Sequence, residues 1–206
     1  MSLYKTIHIN TDTQIFIWKI TESYDELFQN ITLTDTSLTR LQQMKSTQHQ
    51  KAFLAVRYLL RLAGYSDREL YYSTSGKPNL SDSKHISISH SFDYAVVMIS
   101  SANVGIDIEL QRKKILRVKD KFSDILENPS SDWFDTEKQI HYYTIIWSAK
   151  EAIYKYYSQE GLRFKEDIFI QPFNIGDNKL TAKVLQNKTH TIHHFTINNY
   201  IINYIL

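Results

Sequence analysis

The chain has 206 residues, 42% hydrophobic and 22% charged, enough apolar material for one large domain or two small ones. A formal net charge of +2 gives no general affinity for nucleic acid, and the absence of cysteine excludes disulfides, thiolate metal sites and a cysteine nucleophile. The opening "MSLYKTIHIN" has no apolar core with a cleavage site, and no window approaches the ~18 apolar residues of a membrane span, so the expectation is a cytoplasmic protein without membrane association.

In chain order, "TDTQIFIWKI" alternates as a strand, with Ile15 and Ile17 on one side and Phe16 and Trp18 on the other. Leu38, Leu41 and Met44 recur at helical spacing, and Phe53, Val56, Leu60 and Ala63 do so more strongly. A helix is predicted at about 50–63, stopped by Gly64. "SGKP" at 75–78 is a turn, and "HISISHSFDYAVVMISS" is a hairpin turning near Phe92–Asp93. "VGIDIEL" at 104–110 is the next strand. A region at 111–135 follows, with "RKKILRVKDKF", then Asn128–Pro129 and two serines. A long helix is predicted at roughly 136–158, closed by Gly161. The remainder is strand-like, with turns at Asn174–Gly176 and Asn187–Lys188. The order strand, helix, strands therefore occurs twice without a letter-by-letter repeat. It predicts an α+β fold of two halves, 1–102 and 103–206, joined near 102–104.

Two carboxylates interrupt the apolar strand. Val104, Ile106, Ile108 and Leu110 face one way; Gly105, Asp107 and Glu109 face the other. Residues two apart on a strand are separated by about 6.5–7 Å, so both carboxylates can reach one cation. Gly105 leaves that face open, and hard oxygen donors suit Mg²⁺. Alone, the stretch reads more simply as a half-buried strand with a solvated polar face. On the helix, Ile146, Ala149, Ile153 and Tyr156 form the core stripe, while Trp147, Glu151 and Lys155 share a neighbouring face. Glu151 and Lys155 alone read as a stabilising i,i+4 pair worth ~0.2–0.5 kcal/mol. Spacing does not place helix against strand.

"VGIDIE" followed by "WSAKEAIYK" resembles the signature pair of the Sfp-type 4'-phosphopantetheinyl transferases: a Gly-Ile/Val-Asp-x-Glu strand and a Trp/Phe-Ser-x-Lys-Glu-x-x-x-Lys helix. "SGKPNL" at 75–80 is similar to the family's Gly-Lys-Pro turn, "ISISHS" at 86–91 to its Phe-Asn-Ile-Ser-His-Ser strand, and "GLRFKEDIFI" at 161–170 to the segment after the helix. The resemblance covers about 50–175. It departs at Ser87, where the family has Asn, and at Ile86, where it has Phe.

The resemblance implies two pseudo-symmetric α+β halves, each a small, mainly antiparallel sheet packed on a long helix, with the cofactor in the cleft between them. It implies transfer of the phosphopantetheine arm of coenzyme A to a serine of an apo acyl or peptidyl carrier protein, releasing adenosine 3',5'-bisphosphate. Asp107, Glu109 and Glu151 are the implied ligands of Mg²⁺, with Mn²⁺ the other candidate. Lys155 is placed near the pyrophosphate. Glu151 or a metal-bound water takes the serine proton, the two remaining open. Lys77 in its turn with Pro78 is the candidate for the 3'-phosphate, with Ser89 and His90 supplying hydrogen bonds. Lys51 or Arg57, and Lys150 on the helix, complete the implied coenzyme A contacts. Taken alone, Gly76-Lys77-Pro78 is only a turn and His90 a strand-end histidine.

"RKKILRVKDK" holds six basic residues and one acidic one; it is either a solvated face or a segment that steers an acidic carrier protein. His190, His193 and His194 lie in a strand-like context without carboxylates and are not expected to bind metal. No nucleic-acid partner is expected, and the family implies a monomer. Two other functions compete: an inert coenzyme A or nucleotide-binding module, and a Mg²⁺-dependent phosphohydrolase.

Overall fold

The computed structural model describes residues 3–128, 135–158, 161–185 and 188–206. The expected Pro129, with the two serines after it, and Asn187 lie outside the described residues. The architecture is α+β with antiparallel sheets, and the chain divides into two compact units, Met1–Val104 and Gly105–Leu206.

The first unit opens with β1 (Leu3–His8) and β2 (Gln14–Lys19), followed by α1 (Tyr24–Gln29), α2 (Asp35–Gln43) and α3 (Thr47–Leu62). Then come β3 (Leu70–Tyr72), β4 (Pro78–Leu80), β5 (His85–Ser91) and β6 (Tyr94–Ser100). The main sheet has the order β1-β2-β6-β5, every pair antiparallel. β1 has no expectation in the sequence because it is an edge strand without a buried residue, so no period-two pattern marks it. α3 starts earlier than the apolar spacing suggests. Ser46 caps it by accepting from His49 N, and its first turn is polar and exposed. Gly64 follows its C-terminus at φ +88°, a conformation glycine adopts without a Cβ penalty. Phe53, Leu54, Val56, Leu59 and Leu60 of α3 join Phe16, Trp18 and Val97 of the sheet in one core.

The second unit runs from β7 (Gly105–Leu110) through three short 3₁₀ turns (Lys113–Arg117, Lys119–Lys121, Ile125–Glu127) to α4 (Thr136–Tyr157). It ends with β8 (Ile168–Ile170), β9 (Lys179–Val184), β10 (Lys188–Ile197) and β11 (Tyr200–Ile205). The sheet order is β7-β11-β10-β9-β8, so the first strand lies beside the last, as β2 lies beside β6 in the first unit. α4 packs on β7 and β11, burying Ile146, Ala149 and Ile153 against Ile201, Ile205, Ile192 and Leu180. Each buried isoleucine contributes roughly 1.5–3 kcal/mol, so α4 is fixed by this stripe rather than by helix propensity.

Candidate functional site

The site grows from the contact of β7 with α4. A Cβ on Gly105 would lie 2.0 Å from the Ala152 carbonyl oxygen and 2.8 Å from Tyr156 N. The glycine therefore does not leave an open face, as its missing side chain suggested; it is filled by helix backbone. This close approach lays α4 directly on the strand face that carries Asp107 and Glu109.

The pairing that results is specific. Asp107 is buried, and its Oδ1 accepts from Lys155 Nζ at 2.7 Å. Lys155 also donates to the Ile106 carbonyl at 3.2 Å, so it pairs with the strand and not with Glu151 in the i,i+4 manner. Glu109 Oε1 accepts from the indole Nε1 of Trp147 at 3.0 Å. Glu151 is half-buried beside them. Burial pushes its carboxyl up to about 7, the Asp107 and Glu109 charges add to the shift, and Lys155 opposes it. Asp107, Glu109, Glu151 and Lys155 thus share one patch of the second unit. Its donor chemistry, three carboxylates with mutual repulsion, fits a hard divalent cation. Among the described residues, no three acidic or histidine side chains already enclose a metal position. Lys155 and Trp147 hold Asp107 and Glu109 instead.

Two of the basic residues implied as coenzyme A contacts, Lys150 and Arg57, are buried and engaged by protein. Lys150 is fully enclosed, donating to the Phe122 carbonyl at 2.7 Å, Glu127 Oε2 at 2.9 Å and the Phe164 carbonyl at 2.8 Å. All three ammonium protons are taken by protein, so Lys150 has none left for a cofactor. Arg57 is buried in α3 with Nε 3.0 Å from Asp67 Oδ1, and its guanidinium lies 3.4 Å from the centre of the Phe53 ring. Asp67 accepts from Thr34 and Ser37 as well, so Arg57 ties α2 to α3.

Lys51 is half-buried early in α3, where its charge acts on Glu26. Lys77 follows Gly76 (φ +80°), and its main chain is fixed by Ser73 N donating to Lys77 O at 2.9 Å and Lys77 N donating to Ser73 Oγ at 3.1 Å. Burial lowers its ammonium pKa, and no partner holds that ammonium among the described residues. Pro78 begins β4. Ser89 is buried on β5, while His90 is exposed with its ring 5.7 Å from that of His49. His49 has no counterpart in the sequence reading; its place on the exposed first turn of α3 was the signal available.

His190 and His194 share one face of β10, and His193 points to the other. His190 is taken by Tyr157, with ring nitrogen and hydroxyl 2.6 Å apart, and His193 stacks on Tyr204. Beside Glu109 and Trp147 a groove of about 220 Å³ is lined by Leu110, Ile115 and Val118, with Arg112 and Lys114 of the basic run.

Residues 103–205, half of the chain, match the model of the ACPS family, described as the 4'-phosphopantetheinyl transferase superfamily. The chain is 35% identical over 89 residues to 4'-phosphopantetheinyl transferase psf-1 of Bacillus pumilus, covering 39% of this chain and 36% of that protein. It is 32% identical over 97 residues to 4'-phosphopantetheinyl transferase Sfp of Bacillus subtilis (strain 168), covering 45% of this chain and 42% of that one. The chain thus spans about two fifths of the length of these curated relatives. The matched half contains β7 and α4, the two elements that assemble the carboxylate patch, and the chain belongs to the 4'-phosphopantetheinyl transferase superfamily.

Proposed function

We propose that the protein transfers the 4'-phosphopantetheine arm of coenzyme A to a serine hydroxyl of an apo acyl or peptidyl carrier protein. The observation that carries this reading is the gathering of Asp107, Glu109, Glu151 and Lys155 on one patch, within the half that matches the family.

In the proposed step the serine oxygen forms a bond to the phosphorus bearing the pantetheine arm. The bond from that phosphorus to the bridging oxygen breaks, and adenosine 3',5'-bisphosphate leaves. Asp107, Glu109 and Glu151 would hold Mg²⁺ or Mn²⁺, which supplies neutralisation of pyrophosphate charge when bound. Lys155 presents a positive charge to the 5'-phosphate of the leaving adenosine 3',5'-bisphosphate. Glu151, the carboxylate that α4 brings to the patch, is assigned to take the serine proton. Lys77 is assigned to the 3'-phosphate, with Pro78 keeping its turn rigid and Ser89, His90 and Lys51 adding polar contacts. The basic segment at 112–121 steers an acidic carrier protein.

Among the described residues, no helix is long and apolar enough to cross a membrane. We infer a cytoplasmic enzyme acting as a monomer. The test is to incubate the protein with coenzyme A, Mg²⁺ and a panel of apo carrier proteins and follow the carrier mass. Gain of one phosphopantetheine is expected. No gain on any carrier favours a binding module, and coenzyme A cleavage without a carrier favours a phosphohydrolase.

A further inference from the structure

Within the carboxylate patch, Glu109 accepts from an aromatic N–H, that of Trp147. The indole is gripped on both sides. Phe122 meets it edge-on with centroids 5.1 Å apart, and Phe164 stacks on it at 5.4 Å and 18°. Tyr154 stacks in turn on Phe164 at 5.4 Å. Neither phenylalanine belongs to a regular helix or strand, so something must fix them. That is Lys150, whose ammonium holds the backbone carbonyls of both Phe122 and Phe164. Glu127, fully buried, neutralises Lys150 and also accepts from Asp124 N and Ile170 N, each at 2.7 Å.

A charged pair at zero exposure is costly to bury and needs many hydrogen bonds to be tolerated. Here those bonds run to the two residues that clamp Trp147. We propose that Trp147 is a positioning residue that fixes the Glu109 carboxylate for a divalent cation, and that the buried Lys150–Glu127 pair holds the indole in that orientation. The indole N–H holds Oε1 of Glu109 at 3.0 Å and so sets the plane of the carboxylate. Carboxylates held by a partner outside the metal's own ligands lose roughly 10- to 100-fold in metal affinity when that partner is removed. The inference rests on the reading of Asp107, Glu109 and Glu151 as ligands given above.

The test uses the full chain and Mn²⁺ alone, with free Mn²⁺ followed by electron paramagnetic resonance. Trp147→Phe keeps an aromatic ring in the clamp and removes only the N–H. Expected is a loss of Mn²⁺ affinity of about tenfold with a native-like thermal midpoint. In the native protein, titration with Mg²⁺ should shift the Trp147 indole ¹⁵N–¹H resonance. Lys150→Met with Glu127→Leu replaces the buried pair by apolar residues. It should weaken Mn²⁺ binding to a similar extent, without adding to Trp147→Phe when the changes are combined. Should the paired variant fail to fold, Trp147→Phe decides alone. Native protein that binds Mn²⁺, with Trp147→Phe binding it equally well, overturns the positioning role. Native protein that binds no Mn²⁺ overturns the ligand assignment on which it rests.

Discussion

The ammonium of Lys155 lies 2.7 Å from Oδ1 of Asp107, bridging α4 to β7 across the face where the carboxylates converge. Lys155 therefore stands in competition with any cation that Asp107 is to bind. Lys155→Met should raise Mn²⁺ affinity of the protein without coenzyme A by on the order of tenfold, because the competing charge is gone. The same change should depress transfer to a carrier protein. Isothermal titration with Mn²⁺ and carrier mass analysis check the two halves of this prediction.

Gly105 tests the strand–helix contact. Alanine there would drive a Cβ to 2.0 Å from the Ala152 carbonyl, against backbone that has no rotamer to adjust. Gly105→Ala should cost about 3 kcal/mol or more and lower the thermal midpoint, because α4 must lift from β7. A midpoint equal to that of the native protein would show that helix and strand are further apart.

Glu151 sets stability against function. Its unfolded carboxyl titrates near 4.5 and its folded one near 7, raised chiefly by burial and next by Asp107. A raised carboxylate favours the folded state at low pH, and that contribution is lost as pH rises from 4.5 through 7. Glu151→Gln removes the charge, so at pH 8 without metal it should stabilise the protein by on the order of 2 kcal/mol. Transfer activity should be abolished. Thermal melts at pH 5 and pH 8 should show the stabilisation at the higher pH only.

His194 gives the opposite slope. Burial and the charge of His141 lower its pKa to about 4, with Asp177 opposing. The folded state then refuses a proton that the unfolded state takes near 6.5. The contribution of neutral His194 is full above pH 6.5 and is lost as pH falls towards 4. His194→Gln should flatten the acid limb of a plot of melting midpoint against pH between those values.

Two basic residues of the first unit separate binding from scaffold. Arg57→Met breaks a buried pair with Asp67 and should cost roughly 3–5 kcal/mol, with an unchanged KM for coenzyme A in whatever protein remains folded. Lys77→Ala should raise that KM with little effect on the melting midpoint, since its ammonium holds no protein group among the described residues. Chemical denaturation and initial rates over a coenzyme A series distinguish the two.

Much of this was legible in the residues. Period-two alternation placed Asp107 and Glu109 on one face, and the stripe Ile146, Ala149, Ile153 oriented α4, because a buried face leaves its period in the sequence. The edge strand β1 and the short helix α1 bury too little to leave such a mark. The burial of Arg57 and Lys150 was hidden for another reason. A basic residue reads as a ligand contact, and the partners that bury these two, Asp67 and Glu127, carry no periodic signal. Glu127 lies in a stretch of short 3₁₀ turns where neither helical nor strand spacing applies. Gly105 was read as an opening when it is a point of backbone contact, a distinction that depends on the helix lying against it.

The most direct measurement is the mass of an apo carrier protein after incubation with coenzyme A and either the native protein or Asp107→Asn, each with Mg²⁺ and with excess chelator. Addition of the phosphopantetheine arm is expected only with the native protein and Mg²⁺. Equal addition by Asp107→Asn, or undiminished addition under chelation, would contradict it.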